Sequence, residues 1–273
     1  MKKYVADKYK VPPEGTEEAT VIEWKRHDNQ LHDFIKTTIP EALQHTGMAA
    51  FDEHLKGVQA VLRNWSAEQY VSDAGLFHSI YGTQGFQGFK LSFTKRAAIR
   101  SLIGPKAERL VWIFCMADRL TVDKLVETHY QRYCVASNAK SQQAADQEVD
   151  LQIKSRIELG AITIKFADER EWLDFVELTL ADWLEQCEGA AERRNDLYGW
   201  AIGEAYSYRR DAFRMMAALL PARVGDRLAR ARQMHEEVFA TEPDATRGLH
   251  MPVTPPISTA AREAYEALAS VDK

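Results

Sequence analysis

The chain has 273 residues, 45% of them hydrophobic and 27% charged, the composition of an ordinary globular protein long enough to bury a core without disulfide staples. Its net charge of −5 and isoelectric point near 5.9 supply no overall attraction to nucleic acid. No run approaches the roughly 18 apolar residues that a membrane-spanning helix needs, so neither nucleic acid nor membrane is an expected partner.

Met1–Lys10 lacks the apolar stretch of a secretory signal. Cys115, Cys134 and Cys187 stand far apart with no C-x-x-C pair, and together these features point to a cytoplasmic location. Residues 1–17, with Pro12-Pro13-Glu14-Gly15, read as a flexible arm. A mostly polar helix follows from about Glu18 to Lys36, with Pro40 closing it or starting the next element. From Ala49 to Trp65, the residues Phe51, Leu55, Val58, Leu62 and Trp65 recur every three or four positions, which is the helical period. His54 lies beside that stripe. The next predicted helix spans Ala67 to Ile80, and its seam through Val71, Ala74 and His78 turns a second histidine inward.

The glycine-rich stretch Gly82–Phe89 comes next. It either turns the chain, with Phe86 and Phe89 plugging the core, or cradles a phosphate on its backbone N–H groups with Lys90 close by. Thr94 is placed to cap a helix carrying Ala97, Ala98, Ile99 and Leu102 that stops at Gly104-Pro105. An apolar helix through Leu110–Phe114 follows. Residues 137–150 are polar and read as a solvated helix or insert, and Ala161–Phe166 is a lone β-like run too short to found a sheet. The helix over Asp168–Cys187 carries Trp172, Phe175, Val176, Thr179, Asp182, Trp183 and Gln186 along one face. Beyond Gly189, helices are expected over Tyr198–Leu220 and Arg223–Ala240 with Pro221 at the break, then a proline-rich strap and a short helix over Ser258–Val271. The fold class is thus all-α, with a small β element and a helical C-terminal extension. The expected division is the arm 1–17, a helical domain 18–188 and the extension 189–273 packed on it.

His54, His78 and Asp182 each set a metal-ligating group on the apolar side of a predicted helix, where an unpaired polar group costs free energy. Two imidazoles and a carboxylate suit one divalent first-row ion such as Mn, Fe or Zn. No short-range metal, P-loop or nucleophile-elbow motif is present. Asp118, in Met116-Ala117-Asp118-Arg119-Leu120, is the competing carboxylate, read instead as a helix-end charge or an ion-pair partner of Arg119. Arg193, Arg194, Arg209, Arg210 and Arg214 form a basic group, read as a solvated face paired with Glu192, Glu204 and Asp211. Its alternative is an anion site. Trp172, Trp183 and Trp200 read as core, and Cys187 as inert.

The order His54, then Leu76-Phe77-His78, then Ile103-Gly104-Pro105-Lys106-Ala107-Glu108-Arg109-Leu110-Val111, then Leu180-Ala181-Asp182 resembles the HD superfamily of metal-dependent phosphohydrolases. The likeness is nearest the hydrolase half of the RelA/SpoT alarmone enzymes and covers roughly residues 48–187. The string A-G-L-F-H-S-I-Y-G-T also resembles an uncharacterised HD-like family in which serine follows the second histidine. The resemblance implies an HD-type bundle with His54, His78 and Asp182 as metal ligands and Gln186 near a nucleoside. It implies hydrolysis of a phosphate ester on a small nucleotide-like substrate. The chain departs from the pattern at Ser79, where the family keeps the aspartate of its His-Asp pair, and at Gly82 and Thr83, where it keeps Glu-Asp. A serine hydroxyl does not replace a bridging carboxylate, so one metal rather than two is expected. Ser79, Tyr81, Thr83 and Glu185 are the candidate catalytic groups, with Glu53 and His129 as further acid–base substitutes. Arg63, Lys90 and Gln186 are the candidate substrate contacts. The alternatives are a mononuclear iron oxygenase on the same fold and a degenerate ligand-binding protein, and the oligomeric state is left open.

Overall fold

The computed structural model describes residues 12–38, 49–85, 90–135, 150–194 and 200–251. Most of the predicted arm, residues Phe86–Phe89 of the glycine-rich stretch, nearly all of the polar insert and the helix expected over Ser258–Val271 lie outside them. Among the described residues there are nine α-helices and one two-stranded sheet, so the chain is all-α with a small β element. No helix among the described residues is long and apolar enough to cross a membrane.

Helix α1 (Glu18–Thr38) buries only Leu31 and Ile35, as its polar sequence predicts. Two polar clasps fasten it instead. The Arg63 guanidinium donates to both oxygens of Asp28 at 2.6 and 2.7 Å, and His27 Nε2 lies 3.0 Å from each oxygen of Asp73. Helix α2 (Ala49–Asn64) turns Leu55, Val58, Val61 and Leu62 inward and packs along α3 (Gln69–Phe77). The two helices meet at Gly75, where an added Cβ would stand 2.6 Å from Leu62 Cδ1. Helix α3 ends three residues before the predicted Ile80: His78 is its C-cap, and Ile80 N–H donates to Phe77 O while Gly82 N–H donates to Ser79 O. This tight turn closes because Gly82 adopts φ 77°, a left-handed conformation that costs glycine little.

Helix α4 (Arg96–Met116) is two helices joined at Gly104, with φ 83° and ψ 164°, followed by Pro105. The Gly-Pro pair thus breaks the helix as predicted. Its entry is a 3₁₀ turn over Phe93–Lys95 capped by Ser92 rather than by Thr94. Helix α5 (Arg119–Tyr130) begins at Asp118, whose side chain accepts from Leu120 N–H and Thr121 N–H. The β-like run pairs after all: β1 (Gln152–Lys154) and β2 (Thr163–Lys165) are antiparallel, with Ile153 opposite Ile164. Asp118 N–H donates to Lys154 O and Arg156 N–H to Met116 O, which pins this hairpin to the α4–α5 corner.

Helix α6 (Glu169–Cys187) starts at Asp168, which accepts from Glu171 N–H at 2.8 Å while the Glu171 carboxylate accepts from Ala167 N–H, close to a capping box. Every residue from Trp172 to Glu185 is buried. Helices α2, α3 and α4 pack on one side of α6, and the later helices α8 (Arg210–Val224) and α9 (Ala229–Ala240) on the other. The core cluster among the described residues includes residues from α1 through α9. A short helix α7 (Glu204–Ser207) precedes α8. Pro221 lies within the last turn of α8 rather than at the predicted break, which comes at Gly225 with φ 96°. Pro221 gives up the one N–H bond it would make to the preceding turn, yet the helix continues to Val224 until Gly225 supplies the reversal.

An all-round buried helix must be apolar or must satisfy its polar groups internally, and α6 does the latter with four carboxylates. Asp174 accepts from Tyr70 OH and Arg170. Glu177 takes both nitrogens of Arg227 at 2.8 Å. Asp182 and Glu185 face the two histidines.

Candidate metal centre

Helices α2, α3 and α6 deliver His54, His78 and Asp182 to one point. His54 Nε2 lies 3.3 Å from His78 Nε2, and each of these nitrogens lies 3.2 Å from Asp182 Oδ1. The three atoms thus form a nearly equilateral triangle. Donors about 2.0–2.1 Å from one ion stand about 3.3–3.4 Å apart in a tetrahedral array and about 2.9 Å apart on an octahedral face, and the observed edges fall between these values.

The outer nitrogens fix the tautomers. His78 Nδ1 lies 2.8 Å from Gly75 O, and a carbonyl only accepts, so Nδ1 carries the proton and Nε2 offers a lone pair. His54 Nδ1 makes a very short contact with Glu185 Oε2, so it too holds its proton on the outer side. With both rings neutral, two lone pairs and a carboxylate oxygen would converge on one spot, an arrangement that is repulsive unless a positive charge fills it. Burial by itself would depress the His54 imidazole, yet the Glu185 and Asp182 carboxylates outweigh it and lift the group to about 10. Burial would raise Asp182, and His78 and His54 instead hold it well below the usual carboxylate range. Both shifts express the same demand for a cation: a proton on His54 is one occupant, a divalent metal ion another. The donor set fits the metal.

The surroundings hold the ligands still. The His78 ring is set edge-on between His54 and Phe114, with centroids 5.1 Å away in both cases, and Cys115 Sγ lies 3.0 Å from the His78 carbonyl. Gln186 Nε2 donates to Asp182 Oδ1 at 2.9 Å, so this predicted nucleoside contact is bonded to a candidate ligand. Only His54 and Asp182 reach the surface, with side chains 14% and 10% exposed.

The remaining expected residues divide between this point and other places. Ser79, adjacent to His78, is buried and its Oγ makes no hydrogen bond among the described residues. Tyr81 turns its hydroxyl to Glu108 Oε1 at 3.3 Å, joining a knot in which Arg96 and Arg100 also grip Glu108. Burial, reinforced by the Glu108 charge, pushes that hydroxyl well up. Thr83 is buried, and its carbonyl accepts a long bond from Arg156 at 3.4 Å. Arg63 is engaged by Asp28 and stacks over Trp24, and Lys90 is exposed. His129 is buried on α5 between Tyr133 and Trp172, with neither ring nitrogen hydrogen-bonded among the described residues. Glu53 sits on α2, half-buried.

Asp118 is the helix-end charge the sequence suggested, as the cap of α5. The basic group is dispersed among carboxylates: Arg209 binds Asp123, Arg210 binds Glu242 and Arg214 lies 3.8 Å from Asp211. Of the expected partners, Asp211 alone appears in these pairs. Trp172 and Trp183 are core, Trp200 packs against it, and burial pushes the Cys187 thiol well up, leaving it inert. The chemically important positions that sequence reading missed are Gly57 and Gly75. Each allows a close helix approach and looks in sequence like any helical glycine.

A family model described as a domain of unknown function (DUF6817) matches residues 34–119. That segment holds His54 and His78 and ends before Asp182. No curated protein and no solved structure matches the chain.

Proposed function

We propose that this chain is a metal-dependent enzyme of HD type that holds one divalent ion through His54, His78 and Asp182 and hydrolyses a phosphate ester of a small, nucleotide-like substrate. The observation that carries the metal is the triangle of three potential donor atoms 3.2–3.3 Å apart, with the outer nitrogen of each histidine held by a hydrogen bond. The phosphate ester comes from the HD resemblance. A divalent ion supplies Lewis acidity, acidifying water and polarising a phosphoryl oxygen. The chain's own groups do the rest. Gly75 O accepts from His78 Nδ1 and so orients the ring with Nε2 toward the triangle, and Gln186 steadies the Asp182 carboxylate. Ser79, next to His78 in sequence, has a buried hydroxyl with no hydrogen-bond partner among the described residues, a neutral donor and acceptor that would suit a bound water. The absence of carboxylates at Ser79, Gly82 and Thr83 supports one ion rather than a bridged pair. Three free cysteines accord with a cytoplasmic setting.

A second reading, a mononuclear iron oxygenase, is favoured by the donor set itself, since two imidazoles and a carboxylate on one triangular face match the facial triad of that class. Metal analysis followed by anaerobic and aerobic titration separates the two. Mn or Zn with phosphatase turnover supports the hydrolase, and iron with an O₂-dependent spectral change supports the oxygenase. Metal without turnover in either assay indicates a degenerate binding protein. His78→Ala should abolish stoichiometric metal uptake. Unchanged uptake in that variant, or none in the wild type, overturns the assignment.

A further inference from the structure

Glu185 is a buried carboxylate, 3% exposed, and it sits one helical turn after Asp182 on α6. Asp182 faces the inner nitrogens of the two histidines, whereas Glu185 faces the outer nitrogen of His54. Ions and carboxylates do not approach a helix this closely unless room is made for them. The room is made at Gly57, one turn after His54 on α2. A Cβ on Gly57 would stand 2.6 Å from Glu185 Oε1, 2.8 Å from its Cγ and 2.9 Å from its Cδ. Backbone and side chain thus interlock: α2 carries the histidine, leaves a gap one turn later, and α6 fills the gap with the carboxylate that the histidine needs.

The other ligand histidine is oriented by a backbone carbonyl, Gly75 O. His54 therefore has the stronger and more specific anchor, a charge-assisted bond. A carboxylate on the outer nitrogen fixes the tautomer, orients the ring and raises the basicity of the inner nitrogen, which strengthens metal binding by about 10–100-fold. Glu185 Oε2 lies on the Nδ1 side of the His54 ring, opposite the Nε2 corner of the triangle, so the imidazole stands between this carboxylate and the place where an ion would sit.

We propose that Glu185, admitted by Gly57, is the positioning residue that fixes His54 for metal binding rather than an acid or base in the reaction. This rests on the metal-binding reading above. Cobalt(II) is the probe, because its visible absorption reports ligand geometry and its affinity is measurable by competition with a chromophoric chelator on the full chain. Glu185→Gln, which keeps an acceptor of the same shape without the charge, should weaken cobalt about 10-fold, and Glu185→Ala about 100-fold with an altered absorption band. Gly57→Ala should weaken cobalt in the wild type and cost nothing further in the Glu185→Ala background, because both changes remove one contact.

If the wild type binds one cobalt and His78→Ala does not, while Glu185→Gln and Glu185→Ala retain wild-type affinity and spectrum, this proposal fails and the metal centre stands. If the Gly57 and Glu185 effects add fully, the interlock is overturned. If the wild type binds no cobalt, both readings fall. Glu185→Gln keeps the volume of the buried side chain, so the test survives even if Glu185→Ala does not fold.

Discussion

Replacing Gly75 by alanine tests whether the fold sets the geometry of the site. The added methyl would meet Leu62 Cδ1 at 2.6 Å, with Val58 Cγ1 and Gln59 N at 3.4 Å. Leu62 and Val58 are each 0% exposed, so neither side chain has space to swing aside, and α2 and α3 must part. Overpacking of this kind costs about 1–3 kcal/mol. Alanine in a helix interior returns about 0.8–1 kcal/mol relative to glycine, which leaves a net loss of roughly 1 kcal/mol. The same displacement shifts His78, three residues on and bonded to Gly75 O, against His54. Metal affinity should therefore fall by about tenfold or more, as when an outer-nitrogen partner is disturbed. Urea unfolding of metal-free protein measures the first quantity, and cobalt competition the second. In a Leu62→Ala background, where the obstructing atom is gone, Gly75→Ala should become neutral or stabilising by up to about 1 kcal/mol. A Gly75→Ala protein that is more stable than wild type and binds cobalt with undiminished affinity would refute the reasoning.

Other consequences follow from buried polar groups elsewhere. Burial depresses His129 from 6.5 to about 4; because the unfolded chain protonates first, this group's stability is present above pH 6.5 and lost as the pH falls toward 4. The full loss is about 3 kcal/mol, and His129→Phe should flatten the acid limb of stability measured by urea unfolding from pH 7.5 to 4. Equal acid slopes in the two proteins would show that His129 is not buried neutral. Asp118→Ala removes the α5 cap and should cost about 1 kcal/mol while metal stoichiometry stays intact; loss of metal in that variant would make Asp118 the ligand instead of Asp182. Arg227→Met strands the Glu177 carboxylate, only 1% exposed, and should cost about 3–5 kcal/mol. Calorimetry in which Glu177→Gln added to Arg227→Met recovers none of that loss would argue against the pair.

The helices and the three candidate ligands were legible because each rests on periodicity or residue order over many positions. Leu55, Val58 and Leu62 mark the inward face of α2, and Gly104-Pro105 marks the break in α4. What stayed hidden depends on long-range contacts that leave no local trace. The β1 partner Gln152–Lys154 is three residues long, too short to carry an alternation. Arg63 looked available for substrate, and only the folded arrangement gives it to Asp28 on α1. Glu185 was legible as a candidate acid or base yet not as the partner of a histidine 131 positions away, and nothing in sequence distinguishes Gly57 or Gly75 from an ordinary weak point in a helix.

Helix α6 has no weathered side: from Trp172 to Glu185 it is wrapped on every face. Its central amides can therefore exchange with deuterated solvent only when the whole molecule opens, whereas α1, held by Asp28–Arg63 and His27–Asp73 and by two buried apolar residues, can detach by itself. The carboxylate half of the candidate metal centre is accordingly built into the slowest-exchanging part of the molecule.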